Sequence, residues 1–449
     1  MIGHTRLLEE LKRLMKRSRA DATTLYAEAG TQRVSRFAYE AIHQDLAQES
    51  ISVYIKVTVG KRVGVAITDT LERDALARCL KAAMEIAKHA PPLKDLAPLP
   101  QSYRQIVIHD EGPEAARVSS QPFLATLKRL FHLCQGAGAQ LAGSFMTGED
   151  EQAVVNSAGV ACYACSAVCG AKLVTMYRTL SGFASEVRRR ADQVNLEDLL
   201  ERALAQCLHR HDPVTLPTGT YEVILEPEAV AELITWLGYI AFGAKSVQER
   251  TSFLSGRMGE RVMGRRVTIS DDGRDPEGLP IPFDAEGVPK RKVVFVDRGK
   301  AAGFVSDTTY GRLYGHPSTG HALPPDEAEG PLPLNLFMEP GPARRADLIR
   351  ACPRGLLIPR FHYVNGLLNP REALMTGLTR EGAFLIEDGK LKAPITTMRF
   401  TQGLLEAFSH VLGISKERRL IADPAQESGC AVMPTLRLAK FRFTGRSED

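Results

Sequence analysis

Between Ile51 and Val59 the chain alternates strictly. Ile51, Val53, Ile55, Val57 and Val59 fall on one side, and Ser52, Tyr54, Lys56 and Thr58 on the other, which is the period of a strand with one buried face. Gly60-Lys61 turns it into a second strand, Arg62 to Thr68. The period then changes. Leu76, Cys79, Leu80, Ala83, Met84 and Ala87 recur at helical spacing between Leu71 and His89, and Pro91-Pro92 stops the run. The same spacing predicts a helix over 5–16, capped by Thr5, with Leu7, Leu8, Leu11, Leu14 and Met15 on one face. It predicts another over 121–135, ending before Gly136. A further helix is capped by Asn195 and carries Leu196, Leu199, Leu200, Ala203, Leu204 and Cys207. Strands are expected at Leu25–Ala29 and Arg36–Ile42, and a β-meander of small residues over 140–190.

Beyond Tyr221 glycine, proline and short apolar runs dominate, with helices expected at Glu228–Phe242 and Gln402–Gly413. The sharpest local signal is a hairpin. Ala383 to Glu387 is followed by Asp388-Gly389, then Lys390 to Ala393, and Pro394 ends the return strand. A type I′ turn needs positive φ at both central residues, which Asp-Gly supplies. Gly377 and Gly382 bracket the polar stretch before it. The expected class is α+β in two domains: an N-terminal one of helices with an antiparallel sheet over 1–214, and a β-rich one over 215–449. The Pro213 to Thr220 stretch is the expected boundary.

Composition narrows the partners. The chain has 449 residues, 44% hydrophobic and 24% charged, with a formal net charge of +4. That length exceeds one typical core, and the small charge gives no reason to invoke nucleic acid or an anionic membrane. No apolar run reaches the roughly 18 residues of a membrane span, and the N-terminus has no apolar signal-peptide core. A cytoplasmic protein is the default expectation, with its 8 cysteines mostly reduced.

Three groups carry candidate chemistry. Cys162-x-x-Cys165-x-x-x-Cys169 has metal-ligand residue types. A strand there puts Cys162 and Cys165 on opposite faces, which argues against one shared metal. His321 sits in a loop rich in glycine and proline, open to a binding role or to simple solvation. His362 and Cys430 together are the components of a thiol hydrolase, although Cys430 also suits a buried structural thiol.

The hairpin also carries a resemblance. Gly382-Ala383-Phe384-Leu385-Ile386-Glu387-Asp388-Gly389-Lys390, followed by Pro394, resembles the C-terminal signature of the TldD/PmbA family, also called the modulator-of-gyrase family. Tyr221 to Val230, Ser252 to Glu260, Thr268 to Gly273, Phe283 to Pro289, Ser318-Thr319-Gly320-His321-Ala322 and Gly429-Cys430 are similar to its other segments, in the same order. Asn156 to Val160 agrees more loosely.

Catalytic members of that family hold zinc with a His-Glu-x-x-x-His helix and a distant cysteine. An open coordination position there lets zinc bring a water's pKa near neutral. Here the matching helix, Ala229 to Ile240, has no histidine. The ligand and base positions fall among Ile234, Thr235, Tyr239 and Ile240, give or take one, and Cys430 takes the place of the cysteine ligand. The resemblance therefore implies a TldE-like subunit with no catalytic residue and no metal of its own. Zinc is expected on a TldD-like catalytic partner in a heterodimer, with a homodimer as the alternative. The implied ligand is a peptide. The expected substrate-binding residues are His321, Gly377, Thr379, Arg380, Gly382 and Gly389, on a sheet edge to which an extended peptide adds a strand. A relocated hydrolase site at His362 and Cys430, or a peptide- or protein-binding homodimer without enzymatic activity, are the other readings.

Overall fold

The computed structural model describes residues 1–101, 106–109, 120–209, 211–422 and 429–446. It begins with helix α1 (His4–Met15), whose Leu7, Leu8, Leu11 and Leu14 are buried as the spacing predicts. Gly3, not Thr5, stands at its N-cap. The first sheet is formed by β1 (Ala22–Ala38), β2 (Ala41–Val59), β3 (Arg62–Thr68), β4 (Ile106–His109), β5 (Gln140–Asn156), β6 (Ala161–Tyr177) and β7 (Leu180–Arg188). Its order is β3-β2-β1-β5-β6-β4, with β7 also beside β6. Every pairing is antiparallel except β4 with β6.

Helices α2 (Arg73–His89), α3 (Ser120–Gly136) and α4 (Leu196–Cys207) join α1 in the apolar clusters on one face of this sheet. Asn195 caps α4 as expected, accepting from the Glu197 and Asp198 N–H groups. Close approach requires Gly182, where an added Cβ would lie 1.9 Å from the Ala203 carbonyl. The opposite face carries Tyr26, Val154, Cys162 and Ala164, which pack on Phe283 and Ala285 of the second sheet's domain.

Two expectations about this half change. The two strands expected at Leu25–Ala29 and Arg36–Ile42 are one continuous strand and its turn. The mostly polar stretch from Gly30 to Ser35 stays extended because β1 is paired on both sides, Thr31 opposite Glu49 and also opposite Glu149. The turn falls at Tyr39-Glu40, both with positive φ. In the second case, α3 runs through Gly136, and the positive-φ glycine after it is Gly138.

The second, β-rich sheet contains β8 (Gly219–Leu225), β9 (Ile269–Asp271), β10 (Val293–Asp297), β11 (Lys300–Ala301), β12 (Asn335–Met338), β13 (Arg354–Ile358), β14 (Phe361–Asn369), β15 (Leu374–Thr379), β16 (Phe384–Glu387), β17 (Lys390–Pro394), β18 (Met398–Gly403), β19 (Val411–Ala422) and β20 (Cys430–Arg446). Its spine is β11-β10-β9-β12-β20-β8-β13-β16-β17. A branch runs from β20 through β18 and β15 to β14. The long β20 is the hub, because β8, β12, β18 and β19 all pair with it.

Helix α5 (Pro227–Ala241) packs on this sheet, with Val230, Leu233, Ile234, Leu237 and Ala241 buried in the main core. Shorter helices are α6 (Ala244–Gln248), α7 (Thr308–Leu313), α8 (Arg345–Arg350) and α9 (Leu404–Ser409). The helix expected over 402–413 is only α9, since pairing with β20 draws the chain from Val411 onward into β19. The Asp388-Gly389 turn has both φ positive, as its residues require, and β17 ends at Pro394. The architecture is α+β with two sheets, and among the described residues no helix is long and apolar enough to cross a membrane.

Candidate functional site

A cleft of about 630 Å³ opens where the two sheets meet. One wall is the outward face of α5, with Glu228, Ala231, Glu232, Thr235, Trp236 and Tyr239. Facing it are Arg360 to Val364, at the start of β14. Ile421, Ala422 and Gly429 to Ala431 contribute from β19 and β20, and Lys172, Phe183 and Ser185 from the first sheet. Helical period decides which residues face the cleft: those at 231, 232, 235, 236 and 239 form one stripe. Of the positions the family pattern singles out, Thr235 and Tyr239 line the cleft, while Ile234 and Ile240 are buried.

These residues do not fit zinc. The cleft face of α5 offers two carboxylates, Glu228 and Glu232, a threonine hydroxyl and the rings of Trp236 and Tyr239, with no imidazole. Among the described residues, no group of three or more His, Cys, Asp or Glu could hold a metal ion.

His362 and Cys430, separated by 68 positions in sequence, both line this cleft. The Cys430 thiol is 5% exposed and is pushed up to about 11, chiefly by burial. Its sulfur accepts from the Leu279 N–H at 3.3 Å and from Asn335 Nδ2 at 3.4 Å. A thiol so buried is a poor nucleophile at neutral pH. Burial first, then the Arg380 and Arg360 charges, hold His362 below the ordinary imidazole range.

His321 is not a solvated loop residue: it is 1% exposed. Its Nε2 lies 2.8 Å from Asp271 Oδ1, and its Nδ1 3.0 Å from both Thr319 oxygens. Asp271 also accepts from the Asn335 N–H at 2.6 Å. Burial opposes its charge, but His321, Lys290 and that N–H together hold its carboxyl below the usual range. Burial and the nearby Lys290 cation push His321 down, while Asp271 and the Thr319 carbonyl favour its protonated form. Lys290 is itself only 2% exposed, and burial lowers it, opposed by the charges of Asp271 and Asp284. Asp271, His321, Lys290 and Asn335 thus form a polar cluster behind Cys430, sealed from the cleft. Sequence reasoning found only His321 of these, because a buried lysine after Pro289 leaves no periodic signal.

The other expected substrate-binding residues are divided. Gly377 and Thr379 lie in β15, which pairs with β14 on one side and β18 on the other. In register, Gly377 stands opposite Phe400 of β18 and Thr379 opposite Phe361 of β14. Gly377 is glycine because a Cβ would meet Phe400 at 2.7 Å and Val364 at 2.9 Å. Thr379 is 1% exposed and accepts from the Met398 N–H. Gly389 packs on the Arg350 carbonyl. Gly382, with φ of 69°, docks the two halves: its N–H donates to the Ser181 carbonyl, and a Cβ there would strike Gln206. Arg380 is half exposed beside Glu381 and, with Gly382, lines a second cavity of about 960 Å³ at the same junction. The free edges nearby are β14, which pairs only with β15 among the described residues, and β17, which pairs only with β16.

The three cysteines do not converge. Cys162 donates to the Gly287 carbonyl on the face toward the second sheet, whereas Cys165 packs among the helix-side leucines. Burial raises the Cys162 thiol to about 11 and the Cys169 thiol to about 12.

Residues 218–445 match the family model described as the PmbA/TldA metallopeptidase C-terminal domain. An uncharacterised protein of Methanocaldococcus jannaschii is 26% identical over 62% of this chain and 65% of its own length. A metalloprotease TldD homolog of Haemophilus influenzae is 28% identical over 43% of this chain and 40% of its own length. Less than two thirds of these relatives is thus spanned. In fold, the crystal structure of TldE from Thermococcus kodakarensis superposes with a TM-score of 0.86 at 22% identity, covering 97% of this chain and all of that one.

Proposed function

Because the chain belongs to the PmbA/TldD metallopeptidase family, we infer that it acts as a TldE-like subunit that captures peptide for a zinc-bearing, TldD-like partner. The observation that carries this reading is the cleft itself. The helix that matches the family's pattern faces an open cavity, and of the positions where that pattern has its base and imidazoles Thr235 and Tyr239 line it, with no imidazole on the stripe. Loss of the ligands with retention of the cavity suits a subunit that binds without hydrolysing. The free edge of β14 borders that cavity, and backbone pairing along it would hold an extended peptide with little regard to sequence.

The test is to measure metal content and peptidase activity on the purified chain, alone and after co-expression with a TldD-like protein. We expect substoichiometric zinc and no hydrolysis alone, and a mixed complex that hydrolyses peptides. One tightly bound metal per chain, with hydrolysis by the chain alone, overturns the reading. Because His362 and Cys430 share the cleft, an independent thiol hydrolase is the second reading. It requires hydrolysis by the chain alone that is lost in Cys430→Ala. A peptide-binding homodimer that forms no mixed complex is the third.

A further inference from the structure

Among the described residues, the cleft holds a charge that it does not balance. Glu232 shares its cleft with four rings, those of Trp236, Tyr239, Phe361 and Tyr363. Trp236 and Tyr239 meet edge to face at 6.0 Å, and Tyr239 and Tyr363 are 46% and 77% exposed. The other charges are already matched. Glu228 pairs with Arg419. Arg360 pairs with Glu381 at 3.3 Å, and its guanidinium lies 4.2 Å from the centre of the Phe183 ring. Lys172 has partners of its own, and burial with the Arg380 and Arg360 charges disfavours a cation at His362. Among the described residues Glu232 closes no ion pair. Burial raises its carboxyl, and only the Trp236 indole and the more distant Arg360 favour its charge.

A half-buried carboxylate ringed by aromatic faces is the chemistry that recognises an ammonium or guanidinium. The ring faces are negative, and the ion pair is screened less than on an open surface. The Arg360–Phe183 stack shows that this wall already accepts one cation in that way.

We propose that the cleft is a subsite for a basic side chain, a lysine or arginine of an extended peptide lying beside β14, with Glu232 as its counter-ion and Trp236 and Tyr239 as its walls. This rests on the peptide-capture reading above and adds a specificity to it.

The test uses the full chain and acetylated, amidated peptides of about ten residues that differ at one central position: Lys, norleucine or Glu. Affinity is read by calorimetry. The Lys peptide is expected to bind about tenfold tighter than the norleucine peptide, with the Glu peptide weakest. Glu232→Gln should abolish that preference, leave the norleucine affinity unchanged and unfold no earlier than the parent. Tyr239→Ala should reduce the preference in part. Equal affinity for Lys and norleucine peptides, or a preference that survives Glu232→Gln, overturns the subsite and leaves peptide capture standing. A norleucine peptide with a free amino terminus that binds as tightly as the Lys peptide assigns the site to the α-ammonium and overturns the side-chain proposal. Absence of binding by any peptide overturns the capture reading, and the subsite with it.

Discussion

Two polar regions lie within a few side chains of Cys430, and they are built on opposite rules. In the buried cluster, Asp271 accepts from His321 at 2.8 Å and from the Asn335 N–H at 2.6 Å, and Lys290 lies sealed beside it. In the cleft, Glu232 has only the Trp236 indole beside it and the Arg360 charge farther off, and it faces open volume. Both carry acidic groups in largely apolar surroundings, yet only the Asp271 carboxylate has both oxygens bonded internally; Asn335 Oδ1 beside it has no partner among the described residues. A satisfied buried network holds a fold together, whereas an unsatisfied group at a cavity wall is available to a ligand. The largest expected effect tests that division. Asp271→Ala removes the acceptor while leaving His321 and Lys290 buried, so it should cost about 3–5 kcal/mol of stability in urea unfolding. Glu232→Gln should cost nothing, or stabilise slightly. A loss below about 1 kcal/mol for Asp271→Ala would mean that the cluster is not structural, and the division would fail.

Asp307 stands between these extremes. It caps α7 by accepting from the Tyr310 N–H at 2.7 Å, and it borders Glu286, which in turn faces Lys56 of the first sheet at 3.9 Å. Burial, then the Glu286 charge, push its carboxyl up to about 6. A carboxyl raised on folding favours the folded state only while protonated. Its contribution is present below the unfolded value near 4, and is lost as pH rises through about 6. Asp307→Asn keeps a capping oxygen and cannot ionise. The variant should match the parent at pH 3.5 and exceed it by about 1–3 kcal/mol at pH 7.5. Parallel stability-pH curves for variant and parent would place Asp307 with the satisfied groups.

The helices and hairpins of this chain were legible where burial is one-sided. Leu7, Leu8, Leu11 and Leu14 on α1, the Asn195 cap and the Asp388-Gly389 turn each follow from local physics. Tertiary pairing hid the rest. Gly30 to Ser35 read as a break in a strand because their mostly polar side chains conceal a backbone paired on both sides. The missing histidines of α5 were legible, since their absence is a sequence fact, and Thr235 and Tyr239 do reach the cleft. Glu232 and Lys290 were not. Nothing local separates a glutamate that faces a cavity from one in water, or a lysine sealed between Asp271 and Asp284 from a surface one. Gly377 was singled out as a binding residue, but its lack of a side chain serves the approach of Phe400 and Val364.

A small effect on stability, opposite in sign to that of Asp271→Ala, is expected at Tyr363. This residue sits in β14 with φ of 50°, where a bulky side chain is strained, and it is 77% exposed at the cleft's rim. Its ring contacts His362 at 4.0 Å between centroids, a modest return for that backbone conformation. Strain kept at a cavity wall is expected where the side chain is held for a ligand. Asparagine tolerates positive φ, so Tyr363→Asn should leave stability unchanged or raise it by less than about 1 kcal/mol in thermal unfolding. It should also weaken binding of the Lys peptide several-fold, because one aromatic wall is gone. If Tyr363→Asn instead lowers stability by more than about 1 kcal/mol, the ring is a packing element. The cleft would then resemble the buried cluster more closely than the comparison allows.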